Sequence, residues 1–175
     1  VEDGVNKKNI IVLPMGINMP RNIGGIKKEK EKALIFVGRL TAAKGIEEAL
    51  NALKEIVRNK IVRLWIVGRG ETSYVQKLKR MCKQLQIEDN VTFYGFLPER
   101  KKFTLLARAH LLIHPSLREG FGLTIPEAGY VGTPVVAYNS PGLRDIVKNG
   151  KNGILVAENS PESLANTCIQ LLSDE

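Results

Sequence analysis

The chain has 175 residues, which is enough for one domain with a sizeable hydrophobic core. Its 26 lysines and arginines against 18 aspartates and glutamates give a net charge of +8, which favours anionic partners such as phosphorylated substrates, nucleic acids or acidic lipid head groups. Two widely separated cysteines exclude a disulfide scaffold, and no apolar run approaches the roughly 18 residues of a membrane span. The polar start predicts no secretory leader, and the missing initiator Met suggests a piece of a longer protein.

Strand-like and helix-like patterns alternate along the chain, which predicts one α/β domain with a parallel sheet of about six strands and helices on both faces. A short apolar run at 10–13 comes first. Strands are predicted at 33–37, 62–67, 91–94, 111–114, 135–138 and 154–156. Helices are predicted at 46–57, 74–85, 99–109 and 128–132, briefly after 140, and from 161 to the C-terminus with Ser160 as its N-cap.

The most informative segment is Glu119-Gly-Phe-Gly-Leu-Thr-Ile-Pro-Glu127, in which two carboxylates bracket a glycine-rich loop of seven residues. Gly120 and Gly122 have no Cβ to block a ligand from their N–H groups. A strand, a glycine loop and a helix start form an anion site, whereas carboxylates accept hydrogen bonds from hydroxyls. The combination predicts a nucleotide-sugar site. The alternative for Glu127 is an ordinary first-turn acid that interacts with the helix dipole.

A second loop, Val37-Gly-Arg-Leu-Thr-Ala-Ala-Lys-Gly45, places Arg39 and Lys44 between a strand end and a helix start. Arginine grips a phosphate through two parallel hydrogen bonds, and lysine adds a compact charge. The pair could therefore neutralise a diphosphate leaving group without a metal. The alternative is that both are solvated surface charges.

Other motifs carry less information. Gly68-Arg-Gly70 is half of a dinucleotide fingerprint, and position 73 is Ser, so a tight strand-to-helix turn is favoured over a Rossmann cofactor site. His110 and His114 could face one side of a strand, but no Cys, Asp or Glu stands nearby at metal-ligand spacing, and a structural role is favoured for both. The chain has no G-x-S-x-G, P-loop or H-E-x-x-H motif.

Six motifs in a fixed order give the chain a resemblance to a known family. They are Val37-Gly-Arg-Leu with Lys44-Gly45, Leu64-Trp-Ile-Val-Gly-Arg-Gly70, Val91-Thr-Phe-Tyr-Gly-Phe-Leu97, Pro115-Ser-Leu-Arg-Glu-Gly-Phe-Gly-Leu123 with Glu127-Ala, Gly132-Thr-Pro-Val-Val-Ala, and Gly150-Lys-Asn-Gly-Ile-Leu-Val. Over nearly its whole length the chain resembles the C-terminal, donor-binding domain of retaining GT-B glycosyltransferases, the glycosyl transferases group 1 or glycogen synthase and mannosyltransferase-like family. The resemblance implies a Rossmann-like, doubly wound parallel sheet.

The resemblance also implies roles for the matched positions. Arg39 and Lys44, with Gly38 beside them, would hold the donor diphosphate and stabilise it as it leaves. Glu119 would face the hydroxyls of the donor sugar, and Glu127 would accept hydrogen bonds from the ribose hydroxyls. The remaining binding positions are Gly120, Phe121, Gly122, Leu123 and Thr124, whose N–H groups would contact sugar and phosphates, and Phe96 and Leu97, which would lie along the base.

The chain departs from the family pattern at two positions. In Leu13-Pro-Met-Gly-Ile17, which resembles the family's I-P-N-G-V segment, Met15 replaces the usual Asn. His110 stands where the family frequently has Asp. The resemblance further implies that residues 1–175 form a single nucleotide-sugar-binding domain, and that an N-terminal acceptor domain and a final C-terminal helix lie outside the chain. Alone, the domain is expected to bind its donor weakly and to catalyse little or nothing.

The implied function is the donor half of a hexosyltransferase that acts on a glycan or lipid-linked acceptor, with a UDP- or GDP-linked donor, in polysaccharide biosynthesis. The chain has no Asp-x-Asp motif, and neither a cofactor nor a metal is expected. The alternative is a nucleotide-sugar-binding module without transfer activity. Nucleic-acid binding is disfavoured because aromatics are only 6% and the basic residues are scattered. The expected location is the cytoplasm, where scattered lysines could touch an anionic membrane face.

Overall fold

The structure is a computed structural model that describes residues 6, 8, 11, 16–21 and 23–173. Its described residues form one parallel sheet of six strands in the order β3-β2-β1-β4-β5-β6. The strands are β1 (Lys32–Val37), β2 (Val62–Val67), β3 (Val91–Gly95), β4 (Leu111–His114), β5 (Val135–Ala137) and β6 (Gly153–Leu155). This is the doubly wound order in which the chain first builds one half of the sheet and then reverses to build the other.

Helices connect the strands and cover the sheet. They are α1 (Ile46–Val57), α2 (Thr72–Gln84), α3 (Glu99–Arg108), α4 (Thr124–Tyr130), α5 (Leu143–Ile146) and α6 (Pro161–Leu171), with short 3₁₀ helices at Ala42–Lys44 and Glu88–Asn90. The start of α6 is set by Ser160, whose hydroxyl accepts a hydrogen bond from the N–H of Ser163 at 3.1 Å. The predicted cap and the proline at the first helical position are therefore confirmed.

Strand β1 shows why helices pack on both faces of the sheet. Its buried residues alternate in direction, with Leu34 and Phe36 in the core that contains α1, α2 and α6, and with Ile35 and Val37 in the core that contains α3, α4 and α5. A strand that is apolar on both faces reads as a continuous hydrophobic run, and this is how the sequence of β1 reads. The predicted α/β fold with two helical layers is confirmed.

The segment after the glycine loop differs from its prediction. Helix α4 begins at Thr124 and ends at Tyr130, whereas the sequence pattern placed the helix at 128–132. The N–H of Ile125 already bonds to the carbonyl of Gly122 at 2.9 Å, and the N–H of Glu127 bonds to that of Leu123 at 3.2 Å. The free loop is shorter as a result, and Glu127 lies inside the helix.

Smaller differences occur at strand ends. Strand β5 stops at Ala137, one residue earlier than predicted, and β6 occupies Gly153–Leu155 rather than 154–156. The apolar run predicted at 10–13 lies outside the described residues, apart from Ile11.

Gly45 brings the first loop against the end of β4. Its φ is +71°, a left-handed backbone conformation that residues other than glycine rarely adopt. A Cβ atom at this position would overlap the backbone carbonyl of Pro115, directly after β4. Gly45 ends the 3₁₀ helix and precedes α1, so this close approach fixes Lys44 relative to β4.

Replacement of Gly45 by alanine is expected to destabilise the domain by about 1–3 kcal/mol, because the new Cβ meets both an unfavourable φ and the Pro115 backbone. Urea unfolding at equilibrium measures the change. The matched control is Gly129→Ala in α4, where nothing lies within 4 Å of the new Cβ. This control should leave stability unchanged or raise it by roughly 0.5–1 kcal/mol. Equal unfolding midpoints for the two variants would contradict the assigned packing.

Candidate functional site

A cleft of about 350 Å³ opens at the carboxyl ends of β1 and β4, the two neighbouring strands at which the winding direction of the sheet reverses. Ligands of open α/β sheets bind at this position, and the volume lies within the usual range of small-molecule sites. The cleft is lined by Val37, Gly38, Arg39, Lys44, His114, Glu119, Phe121, Gly122, Leu123 and Thr124. Most of the residues singled out from the sequence therefore meet in one place.

Four predicted residues lie outside the cleft lining. Gly120 follows Glu119 and donates its N–H back to that carboxylate at 3.2 Å. Phe96 follows β3 and is 62% exposed. Leu97 is half-buried and packs against the core on the α3 side of the sheet. Glu127 is buried in α4.

A close ion pair crosses the cleft. Lys44, at the end of the first 3₁₀ helix, places its Nζ 2.6 Å from Oε2 of Glu119, on the loop between β4 and α4. Burial raises the pKa of Glu119, but the hydrogen bond and positive charge of Lys44 outweigh it, and the net pKa lies below the usual value. Glu119 is thus an ionised carboxylate at neutral pH. Arg39 is exposed, and its side chain forms no ion pair with the described residues.

His114 forms part of the cleft wall at the end of β4. The residue is 4% exposed, and its Nε2 lies 3.4 Å from Oε2 of Glu119. Burial lowers the pKa of His114 to about 4; the Glu119 carboxylate opposes this shift and the Lys44 ammonium adds to it. The imidazole is therefore neutral near pH 7. Its Nε2 makes no hydrogen bond to the described residues.

Buried polar side-chain atoms without partners gather at this edge of the sheet. Within the described ranges these atoms are Nε2 of His114, Oγ1 of Thr124 and Oε2 of Glu127. The N–H groups of Phe121 and Leu123 likewise form no hydrogen bond to any described residue. Most buried polar groups in proteins are paired, so a concentration of unpaired ones marks a place prepared for a polar ligand.

Glu127 is held from outside the cleft by helix α3. Its Oε1 accepts a hydrogen bond from Nζ of Lys102 at 2.8 Å, and the same ammonium lies 3.0 Å from Glu99. Burial raises the pKa of Glu127, and Lys102 opposes the shift only in part. The second oxygen of Glu127, Oε2, has no partner among the described residues, so it can accept a hydrogen bond from a ligand.

Two buried serines tie together the loops that carry the ion pair. The Ser116 hydroxyl lies 3.1 Å from the carbonyl of Ala43 and 3.0 Å from that of Arg118, and it can donate to either. The Ser140 hydroxyl donates to the carbonyl of Ser116 at 2.8 Å. Sequence reasoning missed these positioning residues, although Ser116 stands within the Pro-Ser step of the recognised motif.

Beside Phe96, the guanidinium carbon of Arg69 lies 4.2 Å from the centroid of the phenyl ring. These residues follow β2 and β3, at the same edge of the sheet as the cleft. The pair combines a positive charge with an exposed aromatic ring at this end of the strands. Local sequence pattern does not indicate this pairing, because Arg69 and Phe96 belong to different loops.

The two histidines lie at opposite ends of β4. His110 precedes β4 at the opposite edge of the sheet, and its Nδ1 accepts a hydrogen bond from the N–H of Ala33 at 3.1 Å. A structural role fits His110. His114 instead lines the cleft. The only sequence feature that indicates this position is the short separation between His114 and Glu119 along the chain.

Among the residues that the structure describes, no group of three or more His, Cys, Asp or Glu side chains is arranged to hold a metal ion. None of the described helices combines the length and apolar character needed to cross a membrane.

Comparison with known proteins places the chain in a family. Residues 21–175 match the model of the glycosyl transferases group 1 family, and the chain therefore belongs to that family. It is 37% identical over 158 residues to an uncharacterized glycosyltransferase of Methanocaldococcus jannaschii, covering 90% of this chain and 40% of the relative. It is also 30% identical to the D-inositol 3-phosphate glycosyltransferase of Corynebacterium urealyticum, covering 100% of this chain and 46% of that protein.

The fold matches that of solved GT-B glycosyltransferase structures. The Anabaena protein HepE, crystallised in complex with UDP-glucose, superimposes with a TM-score of 0.74 at 31% identity, over 83% of this chain and 40% of HepE. The present chain thus spans less than half the length of the relatives that it matches.

Replacement of Lys102 by methionine is expected to destabilise the domain at pH 7 by about 1–3 kcal/mol, because Glu127 loses its partner while it remains buried. The pKa of Glu127 is already raised by burial, and without Lys102 it rises further. The folded variant then binds the Glu127 proton more tightly than the unfolded variant. The loss of unfolding free energy relative to wild type should therefore shrink as the pH falls below this pKa.

Unfolding measured at pH 7 and pH 4 tests this sign. Lys101→Met, on the exposed side of the same helix, is the matched control and should show no such pH dependence. A deficit of Lys102→Met that stays constant or grows towards pH 4 would contradict the assigned pairing.

Proposed function

We propose that the chain is the donor-binding half of a retaining glycosyltransferase that transfers a hexosyl unit from a nucleoside-diphosphate sugar to a glycan or lipid-linked acceptor. The observation that carries the proposal is the cleft itself, where two cationic side chains, a carboxylate and unpaired backbone donors face one volume. Family membership and the similarity to HepE, which was crystallised with UDP-glucose, support the class of donor.

In this proposal the positive charge of the cleft serves the leaving group. Arg39 is exposed and forms no ion pair within the described part of the chain, and Lys44 points across the cleft, so both can turn towards a diphosphate. Negative charge grows on the leaving diphosphate in the transition state, and preorganised donors aimed at such charge are usually the largest catalytic contribution. The free N–H groups of Phe121 and Leu123 add neutral donors at the same place.

The two carboxylates take different parts in the proposal. Glu119 is ionised inside the cleft and accepts hydrogen bonds from hydroxyls of the donor sugar. Glu127 lies deeper, held by Lys102, and offers its unpaired oxygen to the ribose hydroxyls. Only Glu119 lines the cleft, so the acid–base pair of glycosidases is not the model for this site. The Arg69–Phe96 stack would lie beside the base.

The acceptor is proposed to bind in the part of the relatives that this chain does not span. Biosynthetic transfer to glycans or lipid-linked sugars at the cytoplasmic face of a membrane is the proposed setting. The net charge of +8 would favour contact with anionic head groups. Failure of the full-length enzyme to bind acidic vesicles at low salt would remove the membrane contact from the proposal.

In the full-length enzyme, Arg39→Ala and Lys44→Ala are each expected to raise the barrier to transfer by about 2–4 kcal/mol, because each removes a donor aimed at the leaving diphosphate. Steady-state turnover measures the effect. The control is Lys83→Ala, which removes an equal charge near the end of α2. Normal turnover of the Lys44→Ala enzyme would refute the role assigned to this lysine.

Calorimetric titration of the chain with UDP, GDP and ADP tests donor binding directly. Saturable binding of one nucleotide is expected, equally with and without Mg²⁺, because arginine and lysine supply the charge that a metal would otherwise supply. The Arg39→Ala/Glu127→Ala double variant should lose this binding. Binding that requires Mg²⁺ would overturn the proposed metal independence. A full-length protein that binds the donor but transfers no sugar would favour a non-catalytic module.

A further inference from the structure

The ion pair in the cleft conflicts with the roles proposed for its members. Lys44 and Glu119 satisfy each other at 2.6 Å, yet the proposed function asks Lys44 to bind a diphosphate and Glu119 to bind sugar hydroxyls. When Lys44 turns away, Glu119 loses its cation while its side chain is only 12% exposed. A carboxylate that is largely withdrawn from water and left without a partner is costly, so another donor should take over.

The structure contains one side chain placed for this task. Among the described residues, Lys44 and His114 are the two basic groups within 4.0 Å of the Glu119 carboxylate, and both face the same oxygen, Oε2. The N–H of Gly120 approaches the other oxygen at 3.2 Å. The Nε2 of His114 is buried and makes no hydrogen bond to the described residues, so it can donate to Glu119 without losing another of their contacts.

We propose that His114 is a positioning residue that donates a hydrogen bond from Nε2 to Glu119 once Lys44 has moved to the donor diphosphate, and so keeps this carboxylate aimed into the cleft. The inference rests on the proposed function, in which the diphosphate draws Lys44 away. Only a few tenths of an ångström separate the present 3.4 Å from ordinary hydrogen-bond length.

The chemical state of His114 suits the role. A carboxylate only accepts hydrogen bonds, so a neutral imidazole serves it when the proton sits on Nε2. Burial keeps the imidazole neutral near pH 7. Unlike Lys44, a neutral donor orients Glu119 without cancelling its charge, which then remains available to the sugar hydroxyls. The position of the ring at the end of β4, packed and 4% exposed, makes the donor rigid.

The first test needs no ligand. In Lys44→Met, Glu119 has lost the competing cation, which imitates the donor-bound state. Nitrogen-15 NMR of the imidazole in this variant should show the proton on Nε2 of His114, and the pKa of His114 should rise above its wild-type value of about 4. Adding Glu119→Gln should return this pKa downwards. A proton on Nδ1 in Lys44→Met would overturn the inference, whatever the fate of the proposed function.

The second test titrates the chain with UDP and compares three side chains at position 114. His114→Phe keeps the ring but removes the donor and should weaken UDP binding by about tenfold, the usual scale for a hydrogen bond to a charged group. His114→Gln restores an N–H at similar reach and should bind UDP within about twofold of wild type. In a Glu119→Gln background the same replacements should change the affinity little.

The outcomes separate this inference from the proposed function. Unchanged UDP affinity in His114→Phe, no rescue by His114→Gln, or equal losses in the Glu119→Gln background would each overturn the role of His114. Equal losses in the Glu119→Gln background would indicate that His114 acts only by packing in the fold. Lowered unfolding midpoints of the His114 variants would identify this case. If wild type bound no UDP, the donor-site proposal for the chain would fail, and the NMR result would still decide whether His114 supports Glu119.

Discussion

The parallel pairing of β1 with β4 is the constraint on which the candidate site depends. Leu34 pairs with Leu111 and Ile35 with Leu112, which brings together two strands that β2 and β3 separate along the chain. Because the strands are parallel, their carboxyl ends stand side by side. The loop that carries Lys44 then faces the loop that carries Glu119, and an ion pair forms between residues far apart in sequence.

The apolar core below the cleft is closely packed, whereas several buried polar atoms at the cleft lack hydrogen-bond partners among the described residues. The strands are apolar on both faces and are enclosed by two helical layers, so hydrophobic burial stabilises the frame. At the carboxyl edge, His114, Thr124 and Glu127 each have a buried polar atom that finds no partner among the described residues. Local conflicts of this kind are expected where a site serves a ligand rather than the stability of the fold.

Much of the fold followed from local sequence pattern. Strands β2 and β4 match their predicted bounds because each is a short apolar run with a clear stop, and α1 matches because its apolar residues repeat at helical spacing. The pattern places the start of α4 too late, since glycines and a proline near a loop conceal a helix that begins at Thr124. Loop motifs also indicated most of the residues that line the cleft.

The remaining features of the site depend on contacts between distant segments. Nothing near Lys102 in the sequence indicates that it holds Glu127, because the pair forms only when α3 packs beside α4. A buried histidine at a strand end looks the same whether it serves the core or the cleft, so His114 was assigned a structural role. The partial packing of Leu97 against the core on the α3 side likewise depends on the turn after β3, which local pattern does not specify.

The Ser116 hydroxyl has one proton and two carbonyl acceptors at nearly equal distances, 3.1 Å to Ala43 and 3.0 Å to Arg118. A buried hinge normally resists motion because a displaced donor is left without an acceptor. Here the proton can pass from one loop to the other by rotation of a single bond, so the donor is never left unpaired. A shift of the Ala43 loop away from the Arg118 loop would therefore still leave the hydroxyl with an acceptor, and Ser140 holds the Ser116 carbonyl in either case.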